Sequence, residues 1–214
     1  MTVPSPRPEL LGWPPDGPRL RLDYRRFPYA GKFVMTSTGK AVLRGEPPEA
    51  EQPTEDGDPP MNDDDRSLTD GDQTLPEPEK YDDTVLAAVA FNEDRTDSDT
   101  LWLRYVTVRD DHRGEGLGPR LVEFVVDRAR GRGYGRIQIA VNNPYSYEAL
   151  YRAGFGYTGE QTGLAELVLA CPPPAASDPE RYRDGLLAYR ESDHDLSQAE
   201  REFVAEKHDR GPPT

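Results

Sequence analysis

Residues 101–118 read Leu-Trp-Leu-Arg-Tyr-Val-Thr-Val-Arg-Asp-Asp-His-Arg-Gly-Glu-Gly-Leu-Gly. The first eight set Leu101, Leu103 and Tyr105 against Trp102, Val106 and Val108, the two-residue period of a strand. A polar turn follows, then a loop carrying Gly114, Gly116 and Gly118. Pro119 opens a segment whose apolar residues, Leu121, Val122, Val125, Val126 and Ala129, recur at helical spacing. The order is strand, glycine loop, helix start. Glycine lets the backbone approach a ligand closely and take angles closed to other residues. The first amides of a helix lack internal partners and lie at the positive end of its dipole. Together these features make a receptor for phosphate.

Working outward, Val85–Phe91 is a continuous apolar run, hence a buried strand, and Asn92–Asp99 turns it into the strand at 101–108 as an antiparallel hairpin. Gly131 and Gly133 stop the helix that begins at Pro119. Ile137, Ile139 and Val141 alternate as a further strand, Tyr147–Arg152 is a short helix ended by Gly154-Phe155, and Leu164–Leu169 is a closing strand. Toward the N-terminus, Leu20, Leu22 and Tyr24 alternate with Arg21, Asp23 and Arg25, which predicts a strand. Phe33–Met35 and Ala41–Leu43 predict a hairpin around Gly39. The tail carries two helices. Asp178-Pro179 is a cap and first-turn pair ahead of Tyr182, Leu186 and Tyr189, and Ser197 with Glu200 forms a capping box ahead of Phe203 and Val204. These helices read as packed on the domain edge, with a partner-binding arm as the alternative.

The chain has 214 residues, suited to one domain with appendages, and its formal net charge is −14. That charge is local. Residues 46–83 hold 15 acidic and 2 basic residues, whereas residues 101–171 hold 8 acidic and 9 basic. The half bearing the glycine loop is close to neutral, which disfavours nucleic-acid binding through a general basic field. Residues 45–80 are almost devoid of large apolar side chains, cannot offset their ordering entropy by burial, and read as a disordered acidic insertion. An acidic flap over a cationic substrate is the functional alternative. No apolar run is long enough for a membrane span. The N-terminus lacks an apolar leader core, and Cys171 is the single cysteine, so a cytoplasmic protein without disulfides is expected. Cys171 reads as a small hydrophobe at a strand end. His194 and His208 lie in the tail apart from His112, so no metal site is expected.

Two common phosphate binders are disfavoured by spacing. The loop lacks the Gly-Lys-Ser/Thr of a P-loop. A dinucleotide fingerprint expects Gly-x-Gly-x-x-Gly and an acidic residue about 20 positions on, whereas this loop is Gly114-x-Gly116-x-Gly118 and the next strand ends Val141-Asn142. Val108-Arg-Asp-Asp-His-Arg113-Gly-Glu-Gly116-Leu-Gly118 instead resembles the acetyl-CoA pyrophosphate motif of the GNAT N-acetyltransferases. The resemblance continues through Gly133–Val141, Asn143, Ala149-Leu-Tyr151 and Gly154-Phe155, over roughly residues 84–170.

The resemblance implies an α/β fold: a mixed, mostly antiparallel, twisted sheet flanked by helices. The domain then spans 18–171, interrupted by the insertion at 45–80, with a helical extension over 177–210. It implies an acyltransferase that moves acetyl from acetyl-CoA to a primary amine by direct attack in a ternary complex. The acceptor is a small molecule, a protein N-terminus or a lysine, and a homodimer is left open. Backbone amides of Arg113, Gly114, Glu115, Gly116, Leu117 and Gly118 would hold the pyrophosphate. Val106 and Val108 would bond the pantetheine amides from a splayed strand edge, and Asn143 would contact the cofactor arm. A helix tyrosine would protonate the leaving thiolate. Tyr151 lies one position off the family spacing, and Tyr147 or water is the alternative. The strand glutamate that serves some members as general base has no counterpart at Arg104 or Tyr105. Glu93, Asp94, Glu160 and Glu166 are the remaining carboxylates to consider, or water. Two rival readings stay open: an acyl-CoA sensor without chemistry, and an interaction protein working through its acidic segment.

Overall fold

The computed structural model describes residues 5–45, 81–173, 179–191 and 196–213. Residues 46–80 of the acidic insertion, the Asp178 cap and His194 lie outside the described residues.

Seven strands form one sheet in the order β1-β2-β3-β4-β5-β7-β6. They are β1 (Arg7–Gly12), β2 (Gly39–Arg44), β3 (Val85–Glu93), β4 (Thr100–Val108), β5 (Arg136–Val141), β6 (Gly156–Gln161) and β7 (Leu167–Cys171). All neighbouring pairs run antiparallel except β4 and β5, which are parallel. That parallel pair requires a crossover, and α1 (Leu117–Arg130) supplies it. Helix α2 (Pro144–Arg152) follows β5, and α3 (Pro179–Glu191) and α4 (Gln198–Arg210) close the chain.

The sheet has a core on each face. On one, Leu43, Val89, Phe91, Leu101 and Leu103 meet Leu121, Val122 and Val125 of α1, Tyr147 and Leu150 of α2, and Tyr182 and Leu186 of α3. On the other, Val42, Val85, Ala88 and Ala90 meet Leu20, Leu22, Phe27, Ala30 and Phe33. The second layer is not the pair of strands its pattern predicts. Leu20 and Leu22 are buried, but their segment lies across the sheet face instead of joining its edge, tied by Leu20 N donating to Phe33 O at 3.1 Å. Phe33 sits in a 3-10 turn over Ala30–Val34, so no hairpin joins 33–35 to 41–43. Alternation reports which side chains point inward, and an extended segment packed on a sheet satisfies it as well as a strand does.

The partner of β2 is β1, which lies ahead of residue 18. It and β6 form the two sheet edges, and neither has a strand signature. One contains Pro8, tolerated at an edge where its missing N–H faces away from the ladder, and the other contains Gly156 and Gly159 with mostly exposed side chains. The closing strand begins at Leu167, because Ala165 takes a positive φ of 61° in the turn before it.

Strand β4 carries one extra residue. Ala90 pairs with Tyr105 while Phe91 pairs with Leu103, so Arg104 has no partner on β3. Such a bulge reverses the parity of everything after it. Leu101 and Leu103 therefore share a core with Val106 and Val108, whereas Tyr105 packs against the opposite one. The simple alternation of Tyr105 with Leu101 and Leu103 fails at this residue. Beside the bulge the β4–β5 ladder ends, its last rung being Leu103 with Ile139. Among the described residues, the β4 edge facing β5 is unpaired from Arg104 to Val108. The strands splay.

Candidate active site

The splay opens toward the glycine loop. Beyond β4 the chain is pinned by Arg109 N donating to Leu86 O and Asp110 N donating to Arg26 O, both at 2.9 Å. A 3-10 turn, Asp110–His112, comes next. Its side chains bond among themselves. Arg113 Nη2 lies 2.6 Å from Asp110 Oδ1, and Arg26 Nη2 3.0 Å from Asp111 Oδ2. Arg109 Nη2 lies 2.6 Å from His112 Nε2, and His112 Nδ1 lies 3.0 Å from Glu115 Oε2. Arginine can only donate, so Nε2 accepts and the ring proton sits on Nδ1, donated to Glu115. His112 is a turn residue that holds the loop.

Gly114 and Gly116 take φ of +83° and +77°, the left-handed region that side chains with a Cβ enter only with strain. Gly116 is the N-cap of α1 and has no side-chain cap. The first intrahelical bond is Arg120 N to Gly116 O at 3.3 Å. The amide of Arg113 is turned to Asp110 O at 3.5 Å, so the open amides begin one residue later, at Gly114. Among the described residues, the amides of Gly114, Glu115, Gly116, Leu117 and Gly118 have no protein acceptor, and Pro119 has no amide to offer. Five donors thus stand without partners at a helix N-terminus, and nothing lies within 4 Å of where a Cβ would sit on Gly114 or Gly116. Unsatisfied N–H groups of this kind, at the positive end of a dipole, suit the oxygens of a pyrophosphate. Val108 abuts the cradle, its Cγ2 lying 3.4 Å from a Cβ built on Gly118.

On the β5 side, Asn143 caps α2. Its Oδ1 accepts from Ser146 N at 2.8 Å, with Pro144 at the first helical position. The cap uses the carbonyl oxygen and leaves Nδ2 with only a 3.4 Å contact to Asn142 Oδ1.

The two candidate tyrosines occupy different environments. Tyr151 is half-buried, and its Oη accepts from Tyr157 N at 2.9 Å. Tyr147 is fully buried, with its Oη 3.1 Å from Tyr182 O and 3.3 Å from Tyr151 Oη. Rings of Tyr147, Tyr151, Tyr157, Tyr182 and Tyr189 form one cluster, with centroids 4.8 Å apart for Tyr151 and Tyr182 and 4.9 Å apart for Tyr147 and Tyr151. Burial raises the pKa of Tyr151 above 10 and that of Tyr147 much further. The sequence marks Tyr182 and Tyr189 as the packing stripe of a tail helix. It carries no signal that this stripe meets α2.

Three of the four candidate carboxylates accept hydrogen bonds. Glu93 accepts from the Tyr134 hydroxyl and pairs across from Leu101, at the end of β4 remote from the loop. Asp94 accepts from Thr96 N, Thr96 Oγ1 and Trp102 Nε1. Glu166 Oε2 accepts from Thr162 Oγ1, and Glu160 is exposed on β6. Glu148, which sequence reasoning passed over, is buried and bonded to the Tyr182 hydroxyl and Arg152. At the bulge, Arg104 Nε donates to Asn92 Oδ1 at 2.5 Å, with its guanidinium 5.2 Å from the Trp102 ring. Cys171 is buried at the end of β7, 3.2 Å from Arg130 Nη2, and burial pushes its thiol pKa up. Among the described residues no group of His, Cys, Asp and Glu could hold a metal ion, and no helix is long and apolar enough to cross a membrane.

A family model of the GNAT acetyltransferases matches residues 40–157. The chain belongs to the GNAT acetyltransferase family. The match begins at β2 and ends at Tyr157, leaving α3 and α4 outside it. No curated protein matches the chain. Among solved structures it is similar to nourseothricin acetyltransferase, at 16% identity over 79% of this chain and 100% of that one, with a TM-score of 0.44. A GCN5-related N-acetyltransferase from Kribbella flavida gives 18% identity over 63% of this chain and 67% of that one, with a TM-score of 0.40. An aminoglycoside 6'-N-acetyltransferase complexed with coenzyme A gives 13% identity over 42% and 67%, with a TM-score of 0.37.

Proposed function

We propose that this GNAT member transfers acetyl from acetyl-CoA to a primary amine by direct attack within a ternary complex. The observation that carries the reading is the continuity of the β4–β5 splay with the cradle of five unpartnered amides at the start of α1. A molecule with a pyrophosphate at one end and an amide-bearing arm fits that path. The amides of Gly114–Gly118 would hold its pyrophosphate. The open β4 edge at Val106 and Val108 would take the arm, and Asn143 Nδ2 would reach it from the other side of the splay.

Acetyl-CoA supplies an activated acetyl thioester. The protein's part is to hold it in the splay, to place strand amides near the carbonyl oxygen as an oxyanion site, and to give a proton to the departing sulfur. Tyr151 is the proposed acid, because its hydroxyl is half-buried, protonated at neutral pH and fixed by Tyr157 N. Tyr147 is sealed under α3 and cannot reach a ligand without unpacking that helix. The amine proton leaves through water, since Glu93, Asp94 and Glu166 are engaged elsewhere and Glu160 lies on the edge strand β6, two strands from the splay. No covalent acyl-enzyme is required, and buried Cys171 is not placed to form one.

A thiol-release screen of amines with acetyl-CoA tests this, spanning small amines, amino acids and peptides with a free N-terminus or lysine. Amine-dependent release of CoA is expected. Stabilisation by CoA with no release for any amine would leave a sensor instead. The absence of both stabilisation and release would overturn the cofactor reading itself.

A further inference from the structure

Tyr147 holds a single hydroxyl proton between two acceptors, the Tyr182 carbonyl at 3.1 Å and Tyr151 Oη at 3.3 Å. The carbonyl belongs to α3, and the position is closed on all sides by Tyr182, Tyr189, Tyr157 and Tyr151. A buried hydroxyl poised between a neutral carbonyl and a second hydroxyl responds to any change of charge at that hydroxyl. Building on the assignment of Tyr151 as the acid, we infer that Tyr147 is its positioning residue. It rests on the α3 backbone and turns its proton to Tyr151 Oη when Tyr151 gives up its own.

The steps balance. The amine forms the C–N bond, the C–S bond breaks with its electron pair on sulfur, and the Tyr151 proton passes to sulfur to give the thiol. The ammonium proton of the product passes to water. The phenolate left on Tyr151 then accepts two hydrogen bonds, from Tyr157 N and from Tyr147 Oη, until water returns its proton. A hydrogen bond to an ion is roughly twice as strong as one between neutral groups, so the Tyr147 contact is worth most when Tyr151 is charged. That is differential stabilisation, and it acts on kcat. The device joins a helix beyond the family match to the reaction centre, giving the tail helix a catalytic reason to pack where it does.

The test places 3,5-difluorotyrosine at position 151 of the full chain and titrates its phenolate by absorbance, with Tyr147 intact and in Tyr147→Phe. The substitution removes one oxygen and keeps the ring packed. The titratable or charged groups around Tyr151 are Tyr147 on α2, Tyr157 on β6, and Arg181 and Tyr182 on α3. Loss of the Tyr147 donor is expected to raise the phenolate pKa. In the unlabelled protein it should lower kcat by roughly 10- to 100-fold with the KM for acetyl-CoA unchanged, the range for a hydrogen bond to a charged group. Difluorotyrosine at 151 should restore part of the turnover lost in Tyr147→Phe, because a more acidic phenol needs the second donor less. An unchanged titration in Tyr147→Phe overturns the inference alone. Full turnover in Tyr151→Phe overturns the acid assignment, and this inference with it.

Discussion

Leu103 on β4 and Ile139 on β5 form the last rung of the parallel ladder, and Arg104, the unpaired residue of the bulge, follows Leu103 directly. The bulge and the end of pairing coincide for a physical reason. An extra residue bends and twists the strand that carries it, which turns β4 away from β5 while β3 follows it on the other edge. The open edge then runs from Arg104 to Val108 and ends at the glycine loop.

The left-handed angle at Gly116 makes the loop testable apart from the rest of the fold. Gly116→Asp adds backbone strain of about 1 kcal/mol and sets a carboxylate beside the unpartnered amides. Gly116→Asn tolerates the same angle and adds no charge. Calorimetric titration with CoA should show binding abolished in the aspartate variant and only weakened in the asparagine one. Equal losses in both would mean that shape at this residue, and not repulsion of an anion, sets the affinity.

Much of this was legible from residues 84–170, because strands buried on both faces and a helix with one apolar stripe write their periods into the sequence. The edges were not. Pro8 and the glycines of β6 are permitted where one side of a strand has no partner, so β1 and β6 lack the pattern that marks β3. The bulge at Arg104 was hidden for another reason: a single inserted residue shifts parity without changing composition. The environment on which the proposed choice of Tyr151 over Tyr147 rests was hidden as well, since α3 supplies it and its Tyr182 lies 35 residues along the chain from Tyr147.

Asn143 has two separable duties. Its Oδ1 caps α2 through Ser146 N, and its Nδ2 is the proposed cofactor donor. Asn143→Ala should lower stability by about 1 kcal/mol, as loss of an N-cap does, and weaken CoA binding. Asn143→Asp keeps the capping oxygen and adds a negative charge where the helix dipole favours one, so its melting temperature should hold while CoA affinity falls. Undiminished affinity in the aspartate variant would remove Nδ2 from the cofactor site.

Asp94 sets a pH dependence at the other end of the sheet. Hydrogen bonds from Thr96 Oγ1, Thr96 N and Trp102 Nε1 hold its carboxyl pKa at about 2 in the folded chain. An unfolded aspartate titrates near about 3.9. The folded value is the lower one, so its stabilisation is complete above pH ~4 and is lost as pH falls toward 2. Asp94→Asn should therefore melt lower than the parent at pH 7, and the gap should close between pH 4 and 2. A gap that stays constant with pH would mean that shape alone, and not the charge, matters at this turn.

Gly185 controls how closely α3 approaches α2. A Cβ there would overlap Tyr147 Oη and lie 2.6 and 2.8 Å from two ring carbons of the same tyrosine. Because Tyr147 is enclosed on every side, the ring cannot swing away, and Gly185→Ala must push α3 outward. Overpacking of this kind costs about 1–3 kcal/mol, which should appear as a lower melting temperature. Removing the hydroxyl by Tyr147→Phe takes away the worst overlap but leaves both ring carbons in place, so the double variant should recover only part of the loss. The displaced helix also carries the Tyr182 carbonyl away from Tyr147. Gly185→Ala should then reduce turnover by more than its stability loss alone would, measured at a temperature where the variant is fully folded. Normal turnover in that folded variant would show that the contact between α3 and Tyr147 serves packing only.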